Sequence, residues 1–367
     1  GTRTIAAEEP LSSSARTDAS EESIPGFSHS FNPQRPATVP FDFLPTPNGW
    51  FHPSCIIEVR EDERVRGLRI EHANGTTRDI ARCQHPHYSR SGNPIFSDIV
   101  APTVNGWAAR ADDVITAIEW LSATWAVPSN PSSNTGQTVY LFPGLEPATT
   151  GDTILQPVLA WNGLYAPAGW AIYSWNCCRN GSQIHSTAVP VSAGETISGY
   201  VWGTNCNGLT GVCNTWQVRT SSTNNSSTLD TDSYGESLDW VFGGALEVYG
   251  VSACNQYPAS SSVSYQNLTA HQVGGATLTP AWSTSITAGV TPNCVTGVDA
   301  TADSVTIRWC VPSTCSGRCG TMSDGCGGTL SCGGCTGTGR KCFDGEGGWF
   351  YSGMQCLSGY CVSAPCP

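Results

Sequence analysis

The sequence predicts an all-β protein: an antiparallel β-sandwich of concanavalin-like or jelly-roll type, with a small disulfide-rich module at its C-terminal end. Three observations lead there. Between about residues 102 and 310, short segments of strand-like pattern follow one another, separated by Gly, Asn, Ser and Pro, without helical periodicity. Only 13% of residues are charged, and Lys341 is the single lysine, a profile that suits a turn-rich β protein and not a helical bundle. Of 18 cysteines, ten lie beyond residue 309, which implies disulfides and an oxidising compartment.

In chain order, residues 1–40 are rich in Ser, Glu, Thr and Pro without apolar periodicity and read as a disordered or propeptide tail. Residues 41–101 form a pro- or accessory segment. It holds Cys55 and Cys83, expected to pair, and 56-IIEVREDERVRGLRIEH-72, which reads as two strands around a charged turn. Residues 102–310 carry the strand patterns, among them 114-VITAIEWLSATWAV-127, 138-TVYLFPG-144, 168-AGWAIYSW-175, 215-TWQVRT-220 and 240-WVFGGALEVYGV-251. Eleven tryptophans from Trp107 to Trp309 supply apolar area for their core. Residues 311–367 hold too much Gly and Cys to bury a useful core and must be held by disulfides.

The net charge of −12, without a basic cluster, makes nucleic acid and anionic membranes poor partners. No apolar run reaches the roughly 18 residues of a membrane span. The chain starts at Gly1 without a visible signal peptide, and the expectation is a secreted monomer from which that peptide has been removed. Residues 101–367 hold 16 acidic and 7 basic side chains, so few native ion pairs are available for acid to break.

Several catalytic signatures are missing: there is no H-E-x-x-H, no G-x-S-x-G elbow and no phosphate-cradling glycine loop. His85-Pro-His87 lacks the further ligands of a metal site, and Cys332-Gly-Gly-Cys335 reads as disulfide cysteines before zinc ligands, so no metal or cofactor is expected. The adjacent Cys177 and Cys178 read as two separate disulfide anchors. Two residues stand out on apolar strands. In 242-FGGALEVYG-250, Glu247 is either a solvent-facing glutamate or a desolvated acid with a raised pKa. In 153-TILQPVLAW-161, Gln156 is a satisfied core amide, an outward-pointing side chain, or a donor for a developing oxyanion. Pro157 removes a ladder donor and suits an edge strand or a bulge.

Four segments in order, 104-VNGWAAR-110, 118-IEWLSATWAVPS-129, 153-TILQPVL-159 and 242-FGGALEVYG-250, resemble the fungal acid glutamic endopeptidases, the eqolisins. The last two are also similar to plant neprosin. The resemblance implies a β-sandwich peptidase acting on protein or peptide substrates without a cofactor. Glu247 would activate water and later protonate the leaving amine, while Gln156 donates to the oxyanion. Val-Tyr follows Glu247 where eqolisins have Trp; if the alignment slips, Asp239 is the next candidate. Trp161, Tyr173 and Trp175 either line the cleft or pack the core. The run 315-CSGRCGTMSDGCGGTLSCGGC-335 resembles the Gly/Cys repeats of secreted myxobacterial proteins. A carbohydrate-binding sandwich and a polysaccharide-degrading enzyme, which would need two carboxylates or a Lys/Tyr base, are the alternatives.

Overall fold

The computed structural model describes residues 35–95, 106–149, 151–316 and 318–335, and beyond these 341–343, 349–351, 353–357 and 360–363. The expected tail, residues 1–40, lies outside the described residues apart from 35–40, as does 96–105.

The N-terminal part contributes β1 (Leu44–Thr46), β2 (Gly49–Phe51), β3 (Ile56–Val59), β4 (Arg64–Arg66), β5 (Arg69–Glu71), β6 (Thr77–Asp79), β7 (His87–Tyr88) and β8 (Pro94–Ile95). There follow β9 (Trp107–Val114), β10 (Ile118–Ala126), β11 (Thr138–Glu146), β12 (Thr153–Trp161), β13 (Trp170–Cys178), β14 (Gln183–Ser186), β15 (Val189–Val191) and β16 (Thr196–Cys206). The rest of the sandwich is β17 (Cys213–Ser221), β18 (Ser226–Thr231), β19 (Trp240–Tyr249), β20 (Ser262–Gln272), β21 (Thr277–Leu278), β22 (Ser283–Ile286), β23 (Val295–Thr301) and β24 (Ser304–Trp309).

Two large sheets pack face to face. One runs β22-β9-β19-β11-β12-β13-β14-β3, and the other β23-β24-β20-β10-β16-β17-β18-β4-β5-β6. Leu141, Leu155, Leu159 and Leu246 from the first meet Leu121, Val201 and Val218 from the second in one core. Strands β10, β16, β17 and β18 alternate buried with partly exposed residues, as a half-solvated antiparallel sheet must. Strands β11, β12 and β13 are buried along their whole length, because something covers their outer face as well.

The cover is the N-terminal segment. Val39, Phe43, Trp50 and Phe51 form a second apolar cluster with Phe142, Val158, Tyr173, Trp175 and Phe242 on the outer face of the first sheet. Tyr140 Oη donates to the Pro45 carbonyl at 2.8 Å, Asn48 Nδ2 donates to Gln183 Oε1 at 3.2 Å, and Arg90 Nη1 donates to the Val248 carbonyl at 3.3 Å. The four-stranded sheet β1-β2-β7-β8 is this lid.

The same segment is also woven into the sandwich. Instead of two strands around a turn, residues 56–72 give three strands. β3 pairs parallel with β14, and β4 joins β18 at the edge of the opposite sheet. Val59, Val65 and Ile70 are fully buried in the central core, with Ile80 beside them.

The expected Cys55–Cys83 disulfide is present. Cys177 and Cys178, expected to anchor separate bridges, are instead joined to each other. The other described cysteines pair among themselves, which leaves these two no other described partner. In the C-terminal part, Cys315–Cys332 and Cys335–Cys361 bridges account for the Cys-Gly-Gly-Cys run. No described helix is long and apolar enough to cross a membrane.

Weaving the segment into both sheets has a measurable consequence. Ile70→Ala is expected to lower the stability of the entire sandwich by about 2–5 kcal/mol in denaturant unfolding. A segment folding apart from the sandwich would instead leave the main transition where it was.

Candidate active site

The face under the lid is set by strand alternation. On β12, Leu155, Leu159 and Trp161 point into the sandwich, so Ile154, Gln156, Val158 and Ala160 point outward to the lid. Gln156 is 0% exposed, and neither its Oε1 nor its Nε2 has a hydrogen-bond partner among the described residues. An unpaired buried amide costs roughly 1–3 kcal/mol, so its retention requires an explanation.

Contrary to the edge or bulge that Pro157 suggested, β12 is central, between β11 and β13. The β11–β12 pairing is regular at Leu141↔Leu159 and Leu145↔Leu155. That register sets Pro143 against Pro157, two residues without a backbone donor, so the ladder is interrupted beside Gln156 inside a central strand. On its other side Gln156 faces Trp175, which faces His185. The Trp175 and His185 rings are 4.7 Å apart, and Trp175 Nε1 and His185 Nε2 are also buried without a partner.

Glu247 lies on the same face of β19 and is buried, as the desolvated reading required. Tyr249 Oη donates to its Oε1 at 2.6 Å, while Oε2 is unpartnered. A Cβ on Gly106 would overlap Oε1, so only glycine fits there. Burial pushes the carboxyl well above its ordinary pKa, against the opposing effects of the Tyr249 hydrogen bond and the Arg90 charge.

The two residues share a face but not a row. Glu247 pairs with Tyr140, and Tyr140 with Ala160, four residues along β12 from Gln156. Two strand spacings and four residues put the backbones about 16 Å apart. Phe142 and Val158 pack the row between them. Among the described residues no hydrogen bond joins the two side chains directly.

Of the expected cleft aromatics, Tyr173 and Trp175 stand on the Gln156 face and are fully buried. Trp161 does not: its odd position turns it into the sandwich interior against Trp170. Asp239 holds a turn, accepting from the Ala148 N–H at 2.6 Å. Residues missed in the sequence cluster at the Gln156 end. Glu146, at the end of β11, is 3% exposed with Oε2 unpartnered. Burial pushes its carboxyl well above the ordinary value; Arg110 opposes this and Glu236 reinforces it. The signal was available, since alternation places Glu146 on the face of Tyr140 and Phe142.

No family model and no curated protein matches the chain, so the likeness of the C-terminal repeats gains no support. Among solved structures, a scytalidoglutamic peptidase complex with a peptide-based transition-state analogue is 15% identical, with a TM-score of 0.39. The match covers 56% of this chain and 98% of that one. SCP-B, described as a member of the eqolisin family in complex with the tripeptide Ala-Ile-His, is 16% identical with the same TM-score, over 56% and 98% of the two chains. At these values the likeness assigns no residue a role.

Glu146 and Glu247 make stability depend on pH with a definite sign. Both hold a proton more tightly folded than unfolded, so their stabilisation is complete below the ordinary value of about 4.5 and is lost as pH rises through the higher folded pKa. Glu247→Gln is expected to flatten the fall in thermal midpoint from about pH 4 to pH 7. A slope unchanged by the substitution would contradict the assignment.

Proposed function

We propose that the chain is an acid-acting endopeptidase working on the outer face of the first sheet, with the Gln156 amide as oxyanion donor and a buried glutamate as base and then acid. The observation that supports this most is Gln156: a neutral donor and acceptor, fully buried and unpaired, beside an interrupted ladder and on a face that also carries buried carboxyls. Glu247 was the glutamate nominated by the strand motif. It lies buried on the same sheet face as Gln156, with one carboxyl oxygen unpartnered. The disulfides favour secretion.

In this reading the structure is a latent form, because the lid closes the face to substrate. In acid His87 acts towards opening, whereas the raised carboxyls of Glu146 and Glu247 act to hold the closed form. Burial holds His87, stacked on Phe51 at 4.7 Å, down to a pKa of about 4. A depressed histidine stabilises the closed lid above its unfolded value near 6.5 and ceases to do so as pH falls through 4.

Gln156→Met keeps the side-chain volume and removes the unpaired polar atoms. It is expected to fold with equal or greater stability yet lose about 10²–10³-fold in acid cleavage of a denatured protein. Full activity in that variant would end the reading. The carbohydrate alternative has one observation of its own: Trp120, Tyr200, the half-exposed Trp202 and His271 cluster on the solvent face of the second sheet. Retention on an insoluble polysaccharide, lost in Trp202→Ala, together with no acid proteolysis, would favour it.

A further inference from the structure

The lid holds on to the first sheet at two buried points. Tyr140 is fully buried on β11, and its Oη donates to the main-chain carbonyl of Pro45 at 2.8 Å. Gln183, on β14, is equally buried. Its Nε2 donates to Thr46 Oγ1, and its Oε1 accepts from Asn48 Nδ2 at 3.2 Å. Among the described residues, every hydrogen-bond partner of the Tyr140 hydroxyl and of the Gln183 amide therefore belongs to one short stretch of the lid, residues 45–48. Pairing registers place that stretch. Tyr140 pairs with Ala160 and Ala160 with Ala171, while Gln183 pairs with Cys177. Trp175, which faces Gln156, lies between those two positions on β13. Residues 45–48 thus reach from one side of the Gln156 row to the other.

The hydrogen bonds fall on the two sides and not in the middle. Gln156, Trp175 Nε1 and His185 Nε2 stay without partners beneath the lid. The Pro45 carbonyl is held beside Glu247, since Tyr140 and Glu247 are directly paired on adjacent strands. A peptide chain therefore already fits over this face. It is anchored at its flanks, and among the described residues it offers no group to the central amide.

We propose that Tyr140 and Gln183 are substrate-binding residues, and that residues 45–48 of the lid occupy the track of the substrate peptide. This rests on the endopeptidase reading. When the lid lifts, the hydroxyl and the amide pass from the lid to the incoming chain. Tyr140 donates to a main-chain carbonyl, which every peptide presents, so it places the substrate without selecting it. Gln183 meets side chains, as it meets Thr46 and Asn48 now, so it favours peptides with a hydroxyl or amide side chain at that point. Lid and substrate then compete for the same two groups.

The experiment uses the full chain in acid with a denatured protein substrate, and reads two quantities: KM, and lid opening from hydrogen exchange of the β1 and β2 amides. Thr46→Val alters only the lid side of a contact. It is expected to increase opening about two- to tenfold and to lower KM by the same factor, because apparent affinity follows the open fraction. Tyr140→Phe and Gln183→Met keep the side-chain volume and are expected to increase opening similarly. Their KM does not fall, because the substrate loses the same bond that the lid lost. A KM that falls in step with opening in both variants would reduce Tyr140 and Gln183 to lid fastenings and overturn the proposal. If wild type and all variants cleave nothing, the endopeptidase reading fails, and a synthetic peptide of residues 43–50 decides the binding claim. Saturable binding to the Thr46→Val chain, weakened by adding Gln183→Met, upholds the track; no binding refutes it.

Discussion

The arrangement depends on polar groups buried on a sheet face without the partners that would make their burial cheap. Strands β11, β12 and β13 are covered on both sides, so a glutamine amide and two carboxyls are cut off from water. Neutrality eases this: Gln156 has no charge to desolvate, and burial pushes the Glu146 and Glu247 carboxyls above their ordinary pKa, towards the uncharged form. Low charge density along the chain and a lid over the outer face thus serve one constraint, the keeping of a dry polar surface.

The two glutamates are burdened differently. Glu247 is held by Tyr249 and enclosed so closely that Gly106 has no room for a Cβ. Glu146 sits at the end of β11, beyond the ladder interruption at Pro143 and Pro157, and the Phe242 ring lies over Gly144 in the same strand. The first carboxyl is held by a hydrogen bond, while the second keeps an oxygen without a described partner.

The sandwich was legible because strand alternation and turn residues are local signals, and the segments read at 138–144, 215–220 and 240–251 correspond to β11, β17 and β19, with ends differing by one or two residues. The sequence left Glu247 open between a solvent-facing and a buried side chain and Gln156 among three orientations or roles, and the structure shows both buried. Their separation was not legible, since it depends on the pairing of β11 with both β12 and β19, which no single strand records. Glu146 escaped notice because the strand was read only to Gly144, whereas it runs on to Glu146. Trp161 was misplaced even though alternation with Gln156 contained the answer. The weaving of β3 and β4 into opposite sheets left no local trace either: the contacts of Val59, Val65 and Ile70 are with residues far along the chain.

That weaving bears on how such a molecule can be matured. Excising residues 35–95 would strip β14 of its parallel neighbour β3 and β18 of β4, leaving open backbone edges on both sheets and a hollow where Val59, Val65, Ile70 and Ile80 had been. Exposed edges of this kind recruit strands from other chains and favour clumping. A nick confined to the loops around β1 and β2 would free the face while sparing both borders, so the architecture favours trimming over wholesale removal.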